Sequence, residues 1–192
     1  MTASLASPAS SDTHTIHVTV NGQLRRHEVA PRTHLVDFLR NDLGLTGSHL
    51  GCEHGVCGAC TVRLNGAIVR GCLVLAVQAD GCRVDTVEGL TDAGVLRALQ
   101  QAFLARNAFQ CGFCTSGMLL AAAELVATQP HADRAAIRQF ISGNYCRCTG
   151  YQAIVDAIAD VLAARADAAG TDSGTNAANA ANSSLQATGD AP

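Results

Sequence analysis

Three closely spaced cysteines form the pattern with the clearest chemistry in this sequence. Cys52, Cys57 and Cys60 are separated by four and then by two residues, and the next cysteine is Cys72. One loop with this C-x4-C-x2-C spacing can direct several thiolates at two irons, and with a fourth cysteine it can hold a [2Fe–2S] cluster. Glycines in the same loop let the backbone approach the cluster sulfurs, because glycine accepts positive φ. They are Gly51, Gly55 and Gly58.

A second set of cysteines lies in the C-terminal half, as the pairs Cys111/Cys114 and Cys146/Cys148. Each pair comes directly before a predicted helix, and a compact bundle can bring two helix starts side by side. Four thiolates would then converge beside two positive helix ends, which favour a negatively charged centre. This set therefore predicts another [2Fe–2S] cluster. Arg147 either adds to that stabilisation or is a solvated surface residue.

Structural zinc is the alternative that the residues leave open, since four-cysteine zinc sites also use C-x2-C pairs. The first spacing is unusual for zinc, whereas the second alone does not distinguish the two metals. His49 and His54 flank the first loop, but enough cysteines are present for ligation by thiolates alone, and we interpret both histidines as exposed loop residues. The remaining thiol, Cys82, is predicted to be a small buried apolar residue.

The N-terminal half predicts a small mixed sheet crossed by one helix. Turns at Asn21-Gly22 and Asn65-Gly66 each separate two strands, as expected for tight hairpins. A helix is predicted over 33–43, from its cap to the glycine that ends it. Residues 14–88 are therefore predicted to form a β-grasp domain of the plant-type ferredoxin layout. The predicted strands cover about 15–20, 23–29, 61–64, 67–69 and 83–87.

The hydrophobic period changes to that of helices after a short linker at 88–90. Four helices with short loops are predicted, and hence a four-helix bundle over 89–166. The fold class is α+β, an N-terminal β-grasp [2Fe–2S] ferredoxin-like domain followed by an all-α four-helix-bundle [2Fe–2S] domain. Residues 1–13 and 167–192 are predicted to be disordered tails, because they bury too little apolar surface. The helices are predicted at about 91–104, 116–128, 133–141 and 151–164.

Charge and hydropathy argue against several classes of function. The formal net charge is −3 and no basic patch is present, so nucleic acid is not an expected partner. No apolar run approaches the roughly 18–20 residues of a membrane span, and residues 1–13 lack the features of a signal peptide. We therefore expect the cytoplasm, where nine cysteines indicate metal or redox chemistry rather than disulfides. We find no signature of a catalytic group or substrate pocket.

With both cysteine sets located, the sequence resembles the small iron–sulfur subunit of the xanthine dehydrogenase/aldehyde oxidoreductase family of molybdenum hydroxylases, which includes carbon monoxide dehydrogenase. The resemblance runs from about residue 15 to 164. Ser116 stands where many members have Pro and His49 where many have Lys, and neither is a ligand. The matching stretches are LRNDLGLTGSHLGCEHGVCGACTV (39–62), GCLVLAVQADG (71–81), FQCGFCTSGML (109–119) and GNYCRCTGYQAI (143–154).

The resemblance implies an electron-transfer subunit of a molybdopterin-dependent hydroxylase or dehydrogenase, whose substrate is oxidised on another chain. It implies that the second cysteine set holds the cluster next to the molybdopterin of a large subunit, where Gln110 and Cys148 contact the pterin. The first set would hold the cluster nearer the electron exit, usually FAD on a medium subunit. A free-standing ferredoxin-like carrier and a zinc-stabilised binding module are the alternatives. The substrate and the final acceptor are not determined by this chain.

Overall fold

A five-stranded mixed sheet forms the N-terminal part of the computed structural model, which describes residues 12–183 and only the backbone of 169–183. The strands are β1 (His14–Val20), β2 (Gln23–Val29), β3 (Thr61–Leu64), β4 (Ala67–Arg70) and β5 (Arg83–Asp85). Their order in the sheet is β2-β1-β5-β3-β4. The hairpins β1–β2 and β3–β4 are antiparallel, and β5 lies between them, parallel to β1 and antiparallel to β3. The predicted β-grasp sheet is confirmed.

Both hairpins turn at the predicted Asn-Gly pairs. Asn21 and Gly22 have φ of 51° and 78°, and Asn65 and Gly66 have φ of 49° and 92°. Two consecutive positive φ values match the right-handed twist of the flanking strands, and asparagine and glycine reach them at low cost. The Asn21 side chain also binds Thr86, accepting from its backbone N–H at 2.9 Å and donating to its hydroxyl at 3.0 Å.

The helix that crosses the sheet is irregular. A single turn, α1 (Leu35–Asp37), continues directly as a π-helical turn over Phe38–Asp42, so the uniform helix predicted over 33–43 is wrong in its second half. The wider turn is closed by a hydrogen bond from Leu43 N to Phe38 O at 3.2 Å. The buried side of this segment packs on the sheet with the strands' inward residues. This core contains Ile16, Val18, Val20, Val29, Leu35, Phe38, Leu39, Val62, Ala76, Ala79 and Val84.

Five helices form the C-terminal part of the described chain. They are α2 (Val87–Asp92), α3 (Arg97–Ala105), α4 (Thr115–Thr128), α5 (Arg134–Ile141) and α6 (Gln152–Ser183). The helix predicted from about residue 91 is instead two helices, because Gly94 has φ of +75° and interrupts the α conformation. The predicted linker at 88–90 therefore lies within α2. No helix in the described part of the chain is long and apolar enough to cross a membrane.

The bundle of α3, α4, α5 and α6 surrounds one aliphatic core, and the predicted four-helix arrangement is confirmed. Helix α4 is buried on nearly all sides, because it contacts β3 and β4 as well as the other helices. Helix α6 continues past residue 164, so the tail predicted to be disordered from residue 167 is helical in backbone as far as Ser183. Residues 1–11 and 184–192 lie outside the described residues.

The sheet and the helices meet along a buried seam centred on Asn144, which is 2% exposed. Asn144 Nδ2 donates to the carbonyl oxygen of Gly58 at 3.2 Å and lies 3.5 Å from Thr61 Oγ1. Arg70 closes the seam from the sheet side, donating to the carbonyl oxygen of Gly143 at 2.7 Å and to Asn144 Oδ1 at 3.3 Å. Buried polar groups are thus hydrogen-bonded across the boundary, as their desolvation requires.

Helix α4 approaches the seam closely because residue 117 is glycine. A Cβ at Gly117 would clash with the carbonyl oxygen of Gly58, and a Cβ at Gly58 would lie 2.8 Å from the carbonyl oxygen of Gly143. Both obstacles are backbone atoms, which cannot rotate away as a flexible side chain can. The contact between the two halves therefore depends on backbone packed against backbone.

We expect Gly117→Ala to lower the free energy of unfolding by about 1–2 kcal/mol, measured by urea denaturation. Alanine favours a helix over glycine by at most ~1 kcal/mol, whereas forcing an extra carbon into a packed site costs about 1–3 kcal/mol. Thr128→Ala, at an exposed position at the end of the same helix, is the matched control and should change stability little. A Gly117→Ala chain as stable as the control would contradict the close approach described for α4.

Candidate metal centres

The first cysteine set, Cys52, Cys57, Cys60 and Cys72, is divided between a loop and a turn. Cys60 directly precedes β3 and Cys72 follows β4, so the hairpin brings them together; the N–H of Gly71 donates to the carbonyl oxygen of Cys60 at 3.1 Å. Both are nearly inaccessible, at 2% and 1% exposure. Cys52 and Cys57 are less buried and lie in the loop that precedes β3. The set thus has a buried half and a half nearer the surface.

Backbone N–H groups point at sulfur in the outer half of this set. The N–H of Cys57 donates to Cys52 Sγ at 3.3 Å. This hydrogen bond and one from His54 N–H lower the pKa of Cys52 to about 6, because they stabilise the thiolate. Burial raises the pKa of Cys60 to about 11. Amide groups directed at sulfur are also what an anionic iron–sulfur centre requires of its loop.

The loop backbone reaches this arrangement through left-handed residues. Glu53, Gly55 and Gly58 have φ of 60°, 79° and 77°. At Gly55 a Cβ would in addition collide with the side chain of Leu73. Gly51 does not share the positive φ, but a Cβ there would lie 3.3 Å from Cys57 Sγ. Gly55 and Gly58 are therefore needed for their left-handed backbone conformation. Gly51 is needed because a side chain there would crowd the thiol of Cys57.

The second cysteine set, Cys111, Cys114, Cys146 and Cys148, comes together where two loops meet. Cys148 Sγ lies 3.5 Å from Cys111 Sγ. Cys114 is the N-cap residue of α4, and burial followed by a hydrogen bond with Cys146 raises its pKa to about 12. Helix α6 begins at Gln152, shortly after the second pair. The two pairs thus lie close together, with Cys114 at the start of α4 and the second pair in the loop before α6.

Two residues that the sequence reasoning missed organise the loop around Cys146. The Thr149 hydroxyl donates to Cys146 Sγ at 3.1 Å, and the N–H of Cys146 donates to the Tyr151 hydroxyl at 2.9 Å. Burial opposes ionisation of Cys146, but hydrogen bonds from Thr149 and from the N–H of Cys148 leave its pKa lowered overall. Tyr151 has φ of 67°, which closes the loop before α6. The sequence could have indicated Thr149 and Tyr151, because both lie within a few residues of Cys146 and Cys148.

Gln110 lies beside the outer pair of the second set. Its Nε2 donates to the carbonyl oxygen of Cys148 at 3.1 Å. Gln110, Cys111 and Cys148 are all exposed, and so is Arg147, which agrees with a solvated arginine. This end of the second set therefore opens onto the surface of the chain, and Gln110 and Cys148 are adjacent there.

Two predictions near the sites need correction. His49 is half-buried rather than exposed, because its ring stacks on Phe113 with centroids 4.6 Å apart and Nδ1 lies 3.5 Å from Ser116 Oγ. Burial, and then the charge of Arg40, lower the pKa of His49. Cys82 is only partly buried, with Sγ 3.8 Å from the carbonyl oxygen of Gln78. His54 is exposed, as predicted.

Each cysteine set supplies the four thiols that a [2Fe–2S] cluster requires. Among residues 12–168, no three Cys, His, Asp or Glu side chains are grouped as one metal ion needs. A [2Fe–2S] cluster distributes four thiolates over two irons, so each iron needs a pair of cysteine sulfurs that lie close together. The pairs Cys60/Cys72 and Cys111/Cys148, with N–H and O–H donors directed at neighbouring sulfurs, provide donors of that kind.

Comparison with known proteins agrees with this reading of both halves. Residues 18–83 match a family model described as a 2Fe-2S iron-sulfur cluster binding domain, and residues 86–159 match one described as a [2Fe-2S] binding domain. The two matches cover the two cysteine sets separately. Two [2Fe–2S] clusters are therefore the cofactors of this chain.

Individual relatives match over most of their length. The nicotine 6-hydroxylase small subunit of Paenarthrobacter nicotinovorans is 52% identical, over 81% of this chain and 94% of its own. Caffeine dehydrogenase subunit gamma of Pseudomonas sp. (strain CBB1) is 53% identical, over 77% and 90%. The crystal structure of quinoline 2-oxidoreductase from Pseudomonas putida 86 has a chain that superimposes with a TM-score of 0.74 at 48% identity, covering 81% of this chain and 96% of that one.

These matches define an iron–sulfur protein that works as one subunit of an oxidoreductase. The chain belongs to the small [2Fe–2S] subunits of the xanthine dehydrogenase/aldehyde oxidoreductase family of molybdenum hydroxylases. The predicted α+β fold with two [2Fe–2S] domains and the predicted electron-transfer role are thereby confirmed.

We expect the thiols of the metal-free chain to react in an order set by their pKa values. Cys52 is mainly thiolate above its pKa of about 6, whereas Cys60 keeps its proton until about 11 and is buried. Iodoacetamide at pH 7, followed by mass spectrometry, should label Cys52 readily and Cys60 hardly at all. Labelling of Cys52 should fall as the pH drops through about 6. Equal labelling of both at pH 7 would contradict this order.

Proposed function

We propose that the first cysteine set holds one [2Fe–2S] cluster and the second set holds the other. The observation that carries this proposal is the pairing of thiols within each set, Cys60 with Cys72 in the buried hairpin and Cys111 with Cys148 at 3.5 Å. The matches of residues 18–83 and 86–159 to two separate cluster-binding families support one cluster for each half. They also support the proposed domains over 14–88 and 89–166.

When bound, such clusters accept and release single electrons, and the protein contributes their position and electrostatic surroundings. In this chain the N–H groups near Cys52 and the hydroxyl of Thr149 near Cys146 donate to sulfur. Donors of this kind favour additional negative charge on the sulfur they contact. The two loops therefore bind the clusters and adjust their reduction potentials, and the substrate is oxidised on another subunit.

We propose that a large molybdopterin-binding subunit covers the exposed end of the second set. Gln110 and Cys148 are adjacent and exposed, with Gln110 Nε2 3.1 Å from the Cys148 carbonyl oxygen, and we propose that both contact the pterin. The names "small subunit" and "subunit gamma" of the relatives support an assembly of several chains. A medium FAD-binding subunit is the proposed acceptor on the side of the first set, and the cytoplasm the proposed compartment.

The direct test is the Cys111→Ser variant of the complex that this chain forms. Loss of one thiolate from the second set should remove one of two paramagnetic signals in the reduced protein and slow electron delivery from the molybdenum subunit. Iron analysis should give about four irons per wild-type chain, as two [2Fe–2S] centres require, and about two in the variant. Cys82→Ser is the matched control, since Cys82 belongs to neither set, and it should keep both signals.

Other results of the same experiments would favour the alternatives. Zinc in place of iron would indicate a zinc-stabilised binding module. A chain that purifies as a stable monomer with two clusters, and with no large subunit, would favour a free-standing carrier. Two unchanged signals in Cys111→Ser would show that the proposed second ligand set is wrong.

A further inference from the structure

Arg40 holds the segment that leads into the first cysteine set, here called the strap (residues 46–51). Its Nη1 donates to the carbonyl oxygen of Thr46 at 2.6 Å and to that of Ser48 at 2.5 Å. Both contacts join a cation to a carbonyl oxygen, which makes them stronger than hydrogen bonds between neutral groups. Arg40 is half-buried and Ser48 is only 1% exposed, so these contacts are partly shielded from water.

The π-helical turn over Phe38–Asp42 brings Arg40 to this place. Gly44 has φ of 70°, which redirects the chain after the turn, and the N–H of Leu45 then donates to the carbonyl oxygen of Leu39 at 2.8 Å. The strap therefore begins beside the turn that carries Arg40. Wide turns of this kind are frequent at functional sites.

Two peptides of the strap are held at both ends. A trans peptide is planar, so its carbonyl oxygen and its N–H point in opposite directions. Arg40 binds the oxygen end of each. In the first peptide, the N–H of Gly47 donates to Glu88 Oε1 at 2.7 Å. In the second, the N–H of His49 donates to the carbonyl oxygen of Ala59 at 3.1 Å.

The second of these peptides connects the Arg40 cation with the cysteine loop. The carbonyl of Ala59 belongs to the same planar peptide as the N–H of Cys60. Arg40, the 48–49 peptide and the 59–60 peptide therefore form one continuous series, in which each hydrogen bond polarises the next. Positive charge at one end makes the N–H at the other end more positive, which favours the additional negative charge of a reduced cluster held there.

The charges of Arg40 and Glu88 act on the strap with opposite signs. After burial, the positive charge of Arg40 is the next influence that lowers the pKa of His49, whereas the carboxylate of Glu88 raises it. His49 lies three residues before Cys52. Both charges therefore reach the part of the strap that adjoins the first cysteine set.

We propose that Arg40 is a positioning residue for the first cysteine set: it holds the strap against the loop of Cys57 and Cys60, and its charge raises the reduction potential of the cluster bound there. Glu88, which holds the neighbouring peptide, counteracts this charge. The inference rests on the proposed ligand sets. Reduction adds one electron to the cluster, supplied by the oxidation of substrate on another subunit, and no further reactant takes part.

The test is a redox titration of the full complex, followed through its two paramagnetic signals. The Cys111→Ser variant identifies the signal of the first set, because it should retain only that one. In Arg40→Gln we expect the potential of the first signal to fall by about 59 mV, a tenfold change in the equilibrium for one electron, while the second signal keeps its potential. Arg40→Lys retains the charge and should restore most of the difference.

Arg26→Gln is the matched control for the lost charge. Arg26 is exposed on β2, and its replacement changes the net charge of the chain by the same amount as Arg40→Gln. It should leave both potentials at their wild-type values. An equal fall of the first potential in Arg26→Gln would show that net charge alone is responsible, and it would overturn the role of Arg40.

Glu88→Gln keeps the proposal testable if Arg40→Gln does not retain the first cluster. Glutamine keeps an oxygen for the N–H of Gly47 but removes the negative charge, so the first potential should rise. Unchanged potentials in Arg40→Gln, or no rise in Glu88→Gln, would overturn the role of Arg40 and leave the proposed ligand sets standing. Fewer than two signals in the wild-type complex would overturn the ligand sets and this inference together.

Discussion

The buried amide of Asn144 is the interaction on which the arrangement of the two halves depends. It occupies a place where the cysteine loop of the sheet and the loop before α6 meet, and it bonds to Gly58 and to Arg70 at once. A hydrophobic residue of similar size would remove both of these hydrogen bonds, although the Gly58 carbonyl oxygen would still accept from the hydroxyl and the N–H of Thr61. The polar seam therefore defines one relative position for the halves, which apolar packing alone would specify less strictly.

The thiols of the two cysteine sets differ in their exposure to solvent. The first set has its inner pair sealed beneath the sheet, near Val36 and Leu50, while the second set has Cys111 and Cys148 at the surface. An exposed thiol pair allows a partner to approach within contact distance of its sulfurs. A sealed pair excludes water and leaves only the loop side open. The two sets therefore differ in what can reach their sulfurs, although each contains four cysteines.

Much of the fold and the cysteine sites could be predicted because the signals are local. The Asn-Gly turns, the alternating strands and the cysteine spacings each depend on a few neighbouring residues. Gly117, Asn144 and Arg70 could not be assigned, since their importance comes from contacts with residues far away in sequence. The same holds for His49, which meets Phe113 and Ser116 across the boundary. The interruption at Gly94 was available in the sequence, because glycine accepts positive φ.

The position of β5 in the sheet has a consequence for how the chain acquires its structure. β5 is the last strand in sequence yet lies at the centre of the sheet, between β1 and β3. The two hairpins can each form from neighbouring residues, but they touch no common strand until residues 83–85 are inserted between them. During synthesis the sheet can thus close only after all four cysteines of the first set have been made. Late insertion of a central strand is a non-local step, which slows folding relative to the hairpins.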